Sequence, residues 1–511
     1  MSQVVDWRVS VGLVGTVYRY LTVPLLAPVG VALLYGEDPL PFLATILVAV
    51  AVGSVLEWQA PDDDLGAREA FLLVSLTWLA VPLLGTLPYL IAGNGTVASP
   101  VNALFESMSG FTTTGATVLG SISFETHSHA MLMWRQLSQW LGGMGIIVLM
   151  VAILPELSVG GARLIREESP GIDLTKLTPK IRETARILWL IYIGFTALAA
   201  VVYYALHLAG VAPNMGLYNA VAHALTSLPT GGFSPEARSV EAFSPAIQWA
   251  VIAFMVVAGT NFALFWYALV GQPGKLFGNR EFQSYLLAMG AVSVFVAALL
   301  FTGAGLATTP ANVPMIPGDV EHAARQAVFQ VVAIVTTTGY ASMDFNTWSE
   351  PAQATLLLAM FLGGSAGSAA GSIKIIRWYV AGKSLRRELF TTVHPEAVTP
   401  VRIKEQVIDE ETLRGLVTFV LTFLVIFALS VIVVFVEGVT NPDISLSALE
   451  ATSVAIATLG NVGPGFGLVG PMNSFVAFSP QAKLYMVVLM WIGRLEILSV
   501  LVILTPSYWQ R

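Results

Sequence analysis

The sequence predicts an all-α polytopic membrane protein made of four tandem repeats around one axis, with an additional helix pair at the N-terminus. Hydrophobic residues occupy 55% of the 511 positions and charged residues only 11%, whereas soluble domains carry about 25% charged residues. Many apolar runs exceed the roughly 18 residues that cross a bilayer as a helix. A short loop rich in threonine and glycine also recurs four times at a nearly even spacing, which indicates an internal repeat.

Composition also excludes several classes of protein. The chain has no cysteine, which rules out disulfides, thiolate metal sites and a cysteine nucleophile. Its formal net charge of −7 argues against nucleic-acid binding. The N-terminal residues lack the ordered basic, apolar and small-residue regions of a cleavable signal peptide. The first apolar run is therefore expected to stay in the protein.

Residues 1–69 are predicted to form a two-helix appendage outside the repeat. Their two apolar runs, residues 11–35 and 39–58, are joined by the tight turn Gly36-Glu37-Asp38. Neither run is followed by a Thr-Gly loop, so neither matches the repeating unit.

The four repeats are predicted at residues 70–182, 183–281, 282–410 and 411–511. Each contains a membrane span, a short apolar run, a Thr-Gly loop and a returning span. The short runs cover residues 100–110, 215–228, 320–335 and 444–457. About 11 residues give only ~17 Å of helix, so the short runs are expected to enter the membrane without crossing it. The spans are predicted at residues 71–91 and 130–154, 187–208 and 246–270, 285–306 and from 351 onward, and 416–436 and 482–504.

The recurring loops are candidate ion-binding elements. Aligned on Gly115, Gly232, Gly339 and Gly463, they lie 117, 107 and 124 residues apart. Their carbonyl and hydroxyl oxygens carry no charge, and a ring of such oxygens replaces the water shell of a dehydrated alkali cation. We interpret the loops as a selectivity filter, with Gly231 and Gly460 as alternative glycines in loops 2 and 4. The predicted ion-binding residues are Thr113, Thr114, Gly115, Thr230, Gly231, Gly232, Thr337, Thr338, Gly339, Asn461, Val462 and Gly463.

Re-entrant loops imply a pore, because irregular backbone at membrane depth needs shielding by protein or a water-filled cavity. The short helices are expected to point their C-terminal, partly negative ends at it, which favours a cation. Lysine and arginine concentrate in residues 156–186, 271–281 and 374–414, whereas the filter-side segments hold only Arg238 and Arg325. The positive-inside rule makes the basic segments cytoplasmic. The filters are therefore expected to face outward from the cell membrane.

The motif set resembles the Trk/Ktr/HKT superfamily of potassium transporters. The resemblance rests on Phe105-Glu106-Ser107-Met108-Ser109-Gly110-Phe111 before loop 1, His223-Ala224-Leu225 before loop 2, Phe329-Gln330-Val331-Val332 before loop 3, and Asn461-Val462-Gly463-Pro464-Gly465 in loop 4. The N-terminal helix pair is similar to the TrkH branch. Loop 4 departs from the pattern, since Asn461-Val462 stands where the other loops carry threonine.

The resemblance implies potassium uptake by four helix–pore-helix–helix units in a pseudo-fourfold array, assembled as a homodimer in the lipid bilayer. It implies no covalently bound cofactor, and potassium as the transported ion, bound at the filter residues only. It also implies control by a separate cytoplasmic subunit, a TrkA-like nucleotide-binding protein. The basic segment between Lys374 and Arg414 is too short for such a domain. Whether flow is channel-like or coupled to protons or sodium stays open.

Residues 363–374 are a candidate gate. Glycine, alanine, serine and isoleucine fill the segment except for Lys374, and such density favours a break in the returning helix. Close helix packing through small residues is the structural alternative. The resemblance favours the break, since the matching family segment is an intramembrane loop that obstructs the pore below the filter. The candidate gate residues are Gly363, Gly364, Gly367, Gly371, Lys374 and Arg494.

The same segment contains a G-x-S-x-G sequence at 363–367, which suggests an intramembrane serine hydrolase as the alternative function. That chemistry needs a base within hydrogen-bond reach of Ser365 and a strand before the serine. The predicted flanks are helical, and the histidines nearest membrane depth lie on the filter side. We therefore favour a transporter, which is not an enzyme.

Arg494 lies inside the last apolar run, about 18 Å below its outer end. A guanidinium at that depth costs at least ~2.5 kcal/mol unless it is paired or hydrated. Glu496 is a poor partner, since residues two apart face different sides of a helix. We expect Arg494 to hydrogen-bond the 363–374 loop, where family members carry a matching arginine. Glu106 and Glu450 are instead expected to hydrogen-bond backbone amides.

Overall fold

In the part of the chain that the structure describes, the protein consists of helices joined by loops, with one antiparallel pair of two-residue strands. This computed structural model describes residues 5–59, 66–148, 181–307, 316–397, 399–403 and 406–510. The basic segment predicted at 156–186 lies outside these residues up to position 180.

The elements, numbered within the described residues, follow the predicted order of long and short helices. The long helices that open the chain are α1 (Trp7–Tyr35), α2 (Leu40–Trp58) and α3 (Ala67–Gly85). The remaining helices are α4 (Leu87–Ala92), α5 (Pro100–Phe111), α6 (Phe124–His127), α7 (His129–Val148), α8 (Ile181–Leu208), α9 (Leu217–Ser227), α10 (Pro245–Ala258), α11 (Phe262–Leu269), α12 (Pro273–Phe277), α13 (Arg280–Thr302), α14 (Val320–Val335), α15 (Glu350–Ala359), α16 (Ile375–Val393), α17 (Glu410–Thr440), α18 (Ala448–Leu459), α19 (Pro480–Arg494), α20 (Leu498–Leu504) and α21 (Pro506–Trp509). Strands β1 (Arg402–Ile403) and β2 (Gln406–Val407) pair antiparallel.

The fold is that of a polytopic membrane protein. Among the described residues, six helices are long and apolar enough to cross a membrane, and two bent helix pairs raise the number to eight if each pair is one span. The six are α1, α2, α3 continued by α4, α8, α13 and α17. Their outward residues are large and apolar, such as Leu287 and Val439, as lipid contact requires.

The N-terminal pair packs tightly on itself and on the first repeat. Gly15 and Gly53 let α1 and α2 touch, since a Cβ on either glycine would lie within 2.7 Å of the other's carbonyl oxygen. Glu37, in the turn between the helices, accepts hydrogen bonds from the backbone N–H groups of His129 and Ala130 at the start of α7. Burial raises the pKa of Glu37, but these hydrogen bonds outweigh it and hold that pKa below its usual range.

The four short helices α5, α9, α14 and α18 form the interior of the fold. Phe105, Ala220, Phe329 and Val454 on them are fully buried. Ser447 and Glu450 close a capping box at the start of α18, which satisfies amide groups that a helix end leaves free. Each short helix ends where a Thr-Gly loop begins.

Two spans predicted as continuous are broken, so those predictions are wrong. Residues 246–270 divide into α10 and α11, which are bent by 99°. Residues 482–504 divide into α19 and α20, which are bent by 113° directly after Arg494. At the first break, the Phe262 N–H donates to the carbonyl of Gly367 rather than within the helix. At the second, Glu496 and Ile497 adopt positive φ angles of 57° and 53°.

Candidate functional site

The four Thr-Gly loops share one backbone conformation. In each loop a residue with left-handed backbone precedes, by two positions, a glycine with left-handed backbone. The first members are Thr113, Thr230, Thr337 and Asn461, with φ between 52° and 56°. The second members are Gly115, Gly232, Gly339 and Gly463, with φ between 73° and 99°. Residues other than glycine rarely adopt this conformation, so its recurrence makes these positions structurally equivalent. The equivalent glycines of loops 2 and 4 are therefore Gly232 and Gly463 rather than Gly231 and Gly460.

The loops close into a ring. Each left-handed glycine faces the middle residue of the next loop in chain order, and the fourth faces the first. A Cβ atom placed on the four glycines in turn would lie 2.3, 1.9, 2.2 and 2.5 Å from the carbonyl oxygens of Gly231, Thr338, Val462 and Thr114. A side chain fits at none of these positions, and backbone oxygens from all four loops gather around one axis.

A small cavity lies on that axis at the mouth of the ring. It has a volume of about 50 Å³, and all four left-handed glycines line it. That volume exceeds the ~10–15 Å³ needed to hold one water molecule. Arg135 also lines the cavity, but its guanidinium is paired with Glu106 at 2.6 Å and lies 3.5 Å from the ring of Phe233. The charge of Arg135 is therefore offset by Glu106, and Glu236 is the carboxylate among the described residues that line the cavity.

Buried amide side chains hold two of the loops in shape. Gln139 donates to the carbonyl of Gly231 at 2.6 Å and accepts from the Phe233 N–H at 3.0 Å. Gln330 donates to the carbonyl of Tyr340 at 2.9 Å. These bonds fix carbonyl directions in loops 2 and 3. Sequence reasoning named Gln330 only as part of the motif before loop 3, and it missed Gln139, whose partner is 92 residues away.

The two carboxylates on the short helices hydrogen-bond backbone amides, as expected. Glu106 accepts from the Val118 N–H at 2.9 Å, and Glu450 accepts from the Leu468 N–H at 3.1 Å. The pairing of Arg135 with Glu106 was not predicted, since the two residues are 29 positions apart in the chain. Both carboxylates therefore hold in place the backbone that follows the filter glycine of their own loop.

The fourth loop compensates for its missing threonine. In loops 1 and 3 a threonine pair shares a hydroxyl hydrogen bond of 2.7 Å, Thr112 with Thr114 and Thr336 with Thr338. Asn461 instead donates to the Thr114 hydroxyl at 2.9 Å and to the Met490 carbonyl at 3.0 Å. This links loop 4 to loop 1 and to α19.

The 363–374 segment is a buried loop directly beneath the ring. It leaves α15, returns into α16 and is closed by a hydrogen bond from the Gly363 N–H to the Ile373 carbonyl at 2.8 Å. Its Gly371 N–H donates to the Thr337 hydroxyl at 2.7 Å. A Cβ on Gly371 would lie 2.5 Å from the Gly460 carbonyl oxygen. The loop therefore touches two of the four filter loops from below.

Charged side chains hold this loop from several repeats. Arg494 donates to the Ala369 carbonyl at 2.7 Å, so the predicted contact is present. Lys374 donates back to the Ala370 carbonyl within the loop. Glu281, at the start of α13, accepts from the Ala366 N–H at 2.5 Å. Sequence reasoning missed Glu281, whose partner lies 85 residues away.

Glu496 pairs with Arg377 rather than with Arg494, which agrees with the expectation that residues two apart do not meet. The helix break after Arg494 directs the two side chains to different partners. Arg494 also reaches the Gly142 carbonyl at 3.5 Å and lies 5.8 Å from the ring of Trp78. One guanidinium from α19 thus contacts both the loop and α7.

The loop lacks the geometry of a serine hydrolase. Ser365 follows α15 rather than a strand, and its hydroxyl is buried without a hydrogen-bond partner in the described part of the chain. Within the same residues, no cluster of three or more potential metal ligands occurs.

Comparison with known proteins gives consistent matches over the whole chain. The profile of the TrkH family, described as "Cation transport protein", matches residues 41–511. The "Trk system potassium uptake protein TrkH" of Salmonella typhimurium is 35% identical over 99% of this chain and 100% of the relative. The protein of the same name from Escherichia coli is 34% identical with equal coverage. The crystal structure of the potassium transporter TrkH from Vibrio parahaemolyticus superposes with a TM-score of 0.85, at 32% identity, over 99% of this chain and 100% of that one.

Proposed function

Because the chain belongs to the TrkH family of cation transport proteins, we propose that it carries potassium ions across a cell membrane through the ring of four loops. The closed sequence of contacts from each glycine to the next loop's carbonyl carries this proposal. A ring of neutral oxygens exchanges an alkali cation's water shell for protein ligands. The names of the relatives, which are potassium uptake proteins, support the same ion.

The short helices contribute to cation attraction. α5, α9, α14 and α18 end at the ring, and a helix C-terminus carries about half a negative charge. Four such ends converging on one axis lower the energy of a cation just below the ring. No carboxylate is needed at that place, which agrees with the structural bonding of Glu106 and Glu450.

The loop at 363–374 is proposed to be the gate. It occupies the space under the ring, and Arg494 holds it with a hydrogen bond while placing a positive charge beside the ion path. The loop is narrow because four of its residues are glycines: Gly363, Gly364, Gly367 and Gly371. The charged amino group of Lys374 donates a hydrogen bond to the Ala370 carbonyl within the loop. Opening requires Arg494 to release the Ala369 carbonyl, after which the small residues move with little steric hindrance.

The orientation and the partners are part of the proposal. The basic segments of the sequence favour a cytoplasmic position, which places the four loops toward the outside of the cell membrane. The family resemblance favours a homodimer and a separate TrkA-like nucleotide-binding subunit. ATP or ADP binding by the purified chain alone would argue against a separate nucleotide-binding subunit.

Potassium uptake by a cell that lacks its own potassium transporters tests the function. Cells that express this chain together with a regulatory subunit should grow at low external potassium and take up K⁺ or Rb⁺. The matched control is the same chain with Gly232→Ala. This variant should not support uptake, because its Cβ would lie 1.9 Å from the Thr338 carbonyl oxygen and disturb the ring. Uptake equal to that of cells without the chain, despite normal insertion into the membrane, would contradict the proposal.

A further inference from the structure

An apolar crevice lies between α1, α3, α7 and α8, outside the four-loop ring. Its volume is about 520 Å³, within the ~300–1,000 Å³ typical of small-ligand pockets. Leu13, Val17, Leu73, Val81, Leu141 and Trp189 are among its lining residues. None of the described lining residues carries a charge, so the crevice fits an uncharged apolar group.

The crevice opens toward the space that the bilayer fills. The helices α1, α3 and α8 are candidate membrane spans, and at its edge Tyr20 is 73% exposed. Apolar cavities do not hold water stably, while hydrocarbon surrounds these helices at membrane depth. We propose that this crevice binds an acyl chain of a membrane lipid.

The inner wall of the crevice is formed by residues that contact the gate arginine. Trp78 and Gly142 line the crevice. The Arg494 guanidinium lies 5.8 Å from the Trp78 ring and 3.5 Å from the Gly142 carbonyl oxygen, and Arg494 is not among the described residues that line the crevice. Phe111, the last residue of α5, also lines the crevice and packs edge-to-face on Trp134. A bound chain therefore supports the wall against which Arg494 rests.

This arrangement gives the acyl chain a regulatory role, which rests on the proposed function of the 363–374 loop as the gate. When the crevice is filled, Trp78 and the Gly142 region of α7 are held in place, and the hydrogen bonds of Arg494 are retained. When the crevice is empty, the lining helices approach one another and the wall moves. Occupancy thus stabilises the closed arrangement.

The site itself is tested by photolabelling, which does not depend on ion flux. The protein in liposomes is exposed to phosphatidylcholine with a diazirine near the middle of one acyl chain, and labelled residues are located by mass spectrometry. Leu73 and Leu141 should be labelled at least as densely as Val201 and Leu429, which face outward from α8 and α17, whereas the fully buried Val296 should stay unlabelled. Labelling of Val201 and Leu429 without labelling of Leu73 and Leu141 would overturn the site.

A crevice-filling variant separates binding from general effects on folding. Leu141→Trp adds bulk inside the crevice and should reduce labelling of Leu73 several-fold. Val201→Trp adds the same kind of side chain on an exposed face and should leave that labelling unchanged. Unchanged labelling of Leu73 in a correctly inserted Leu141→Trp protein would also overturn the site.

The coupling to the gate is tested by potassium flux in two lipids. Wild-type flux should differ between straight-chain dioleoyl and branched diphytanoyl phosphatidylcholine, because a branched chain fills the crevice differently. Leu141→Trp should lose this difference, while Val201→Trp should keep it. Equal dependence in both variants would overturn the coupling, and an absence of flux in all proteins together with dense crevice labelling would count against the proposed function instead.

Discussion

The ring of four loops repeats one backbone conformation four times, whereas the layer beneath it is dominated by one long loop, residues 363–374. In the described part of the chain, the returning spans of repeats 2 and 4 have only short breaks, after Ala258 and after Arg494. In the ring, neighbouring loops meet through backbone carbonyls and glycines without charge. In the lower layer, Arg494, Glu281 and Lys374 each bind the backbone of the 363–374 loop. Selecting an ion requires equal oxygens on all sides, while a gate requires one element that differs from the rest.

The two regions also differ in how their strained backbone is held in place. Each loop of the ring holds a threonine or asparagine in left-handed backbone, which costs of order 1–3 kcal/mol per residue. The surrounding helices and glutamines must maintain that conformation. The lower loop also holds one such residue, Ser372 with a φ of 55°. Its position depends on a few hydrogen bonds from distant helices, which can be removed one at a time.

The largest expected effect comes from disturbing the ring. Gly115→Ser and Gly339→Ser would each place a Cβ within 2.3 Å of the next loop's carbonyl oxygen, at a φ that a side chain rarely adopts. We expect the K⁺/Na⁺ permeability ratio in proteoliposomes to fall about tenfold, equivalent to ~1.4 kcal/mol. Gly290→Ser is the matched control, because no atom lies within 4 Å of a Cβ there. An unchanged ratio in both filter variants would show that the ring does not select the ion.

The next largest effect should come from the gate arginine. Arg494→Gln removes a charged hydrogen bond to the loop, which is worth ~1.5–3 kcal/mol, so basal potassium flux should rise about tenfold or more and respond less to the regulatory subunit. Arg414→Gln, at an exposed position of α17, should leave both unchanged. If Arg494→Gln folds normally with wild-type flux and regulation, the arginine serves structure only.

A smaller effect is expected at Glu281. Glu281→Gln keeps an oxygen that accepts the Ala366 N–H but loses the charge, a difference of ~1 kcal/mol. Basal flux measured in proteoliposomes should rise by less than in Arg494→Gln, and selectivity should stay constant, because no filter residue contacts the substituted group. The exposed Glu350→Gln is the control. A change in selectivity without a change in flux would place Glu281 in the ring's support instead.

The smallest effect is expected at Ser365. Its hydroxyl makes no hydrogen bond in the described structure, and removal of such a group costs little. Potassium flux through Ser365→Ala should stay within about twofold of wild type, since no transport contact is lost. Loss of all activity would instead favour the serine hydrolase interpretation.

The sequence predicted more of the ring than of the layer beneath it. The loops could be found because Gly115 and its counterparts recur in similar contexts, and Arg494 because a charge in an apolar run needs a partner. Gln139 and Glu281 could not be found, since their bonds join residues 92 and 85 positions apart. The breaks after Gly259 and after Arg494 were missed because the apolar residues on both sides of each break were counted as one span. The polar residues Thr260 and Asn261, and the charged residues Arg494 and Glu496, were the available signals.

Diffraction from crystals soaked in rubidium chloride tests the central claim most directly, because Rb⁺ replaces K⁺ and scatters anomalously. We predict a peak on the axis of the ring, between the carbonyl oxygens of Thr114, Gly231, Thr338 and Val462. The peak should weaken in Gly339→Ser and persist in Gly290→Ser. A ring without anomalous density, in crystals whose other cation sites are occupied by Rb⁺, would contradict the account.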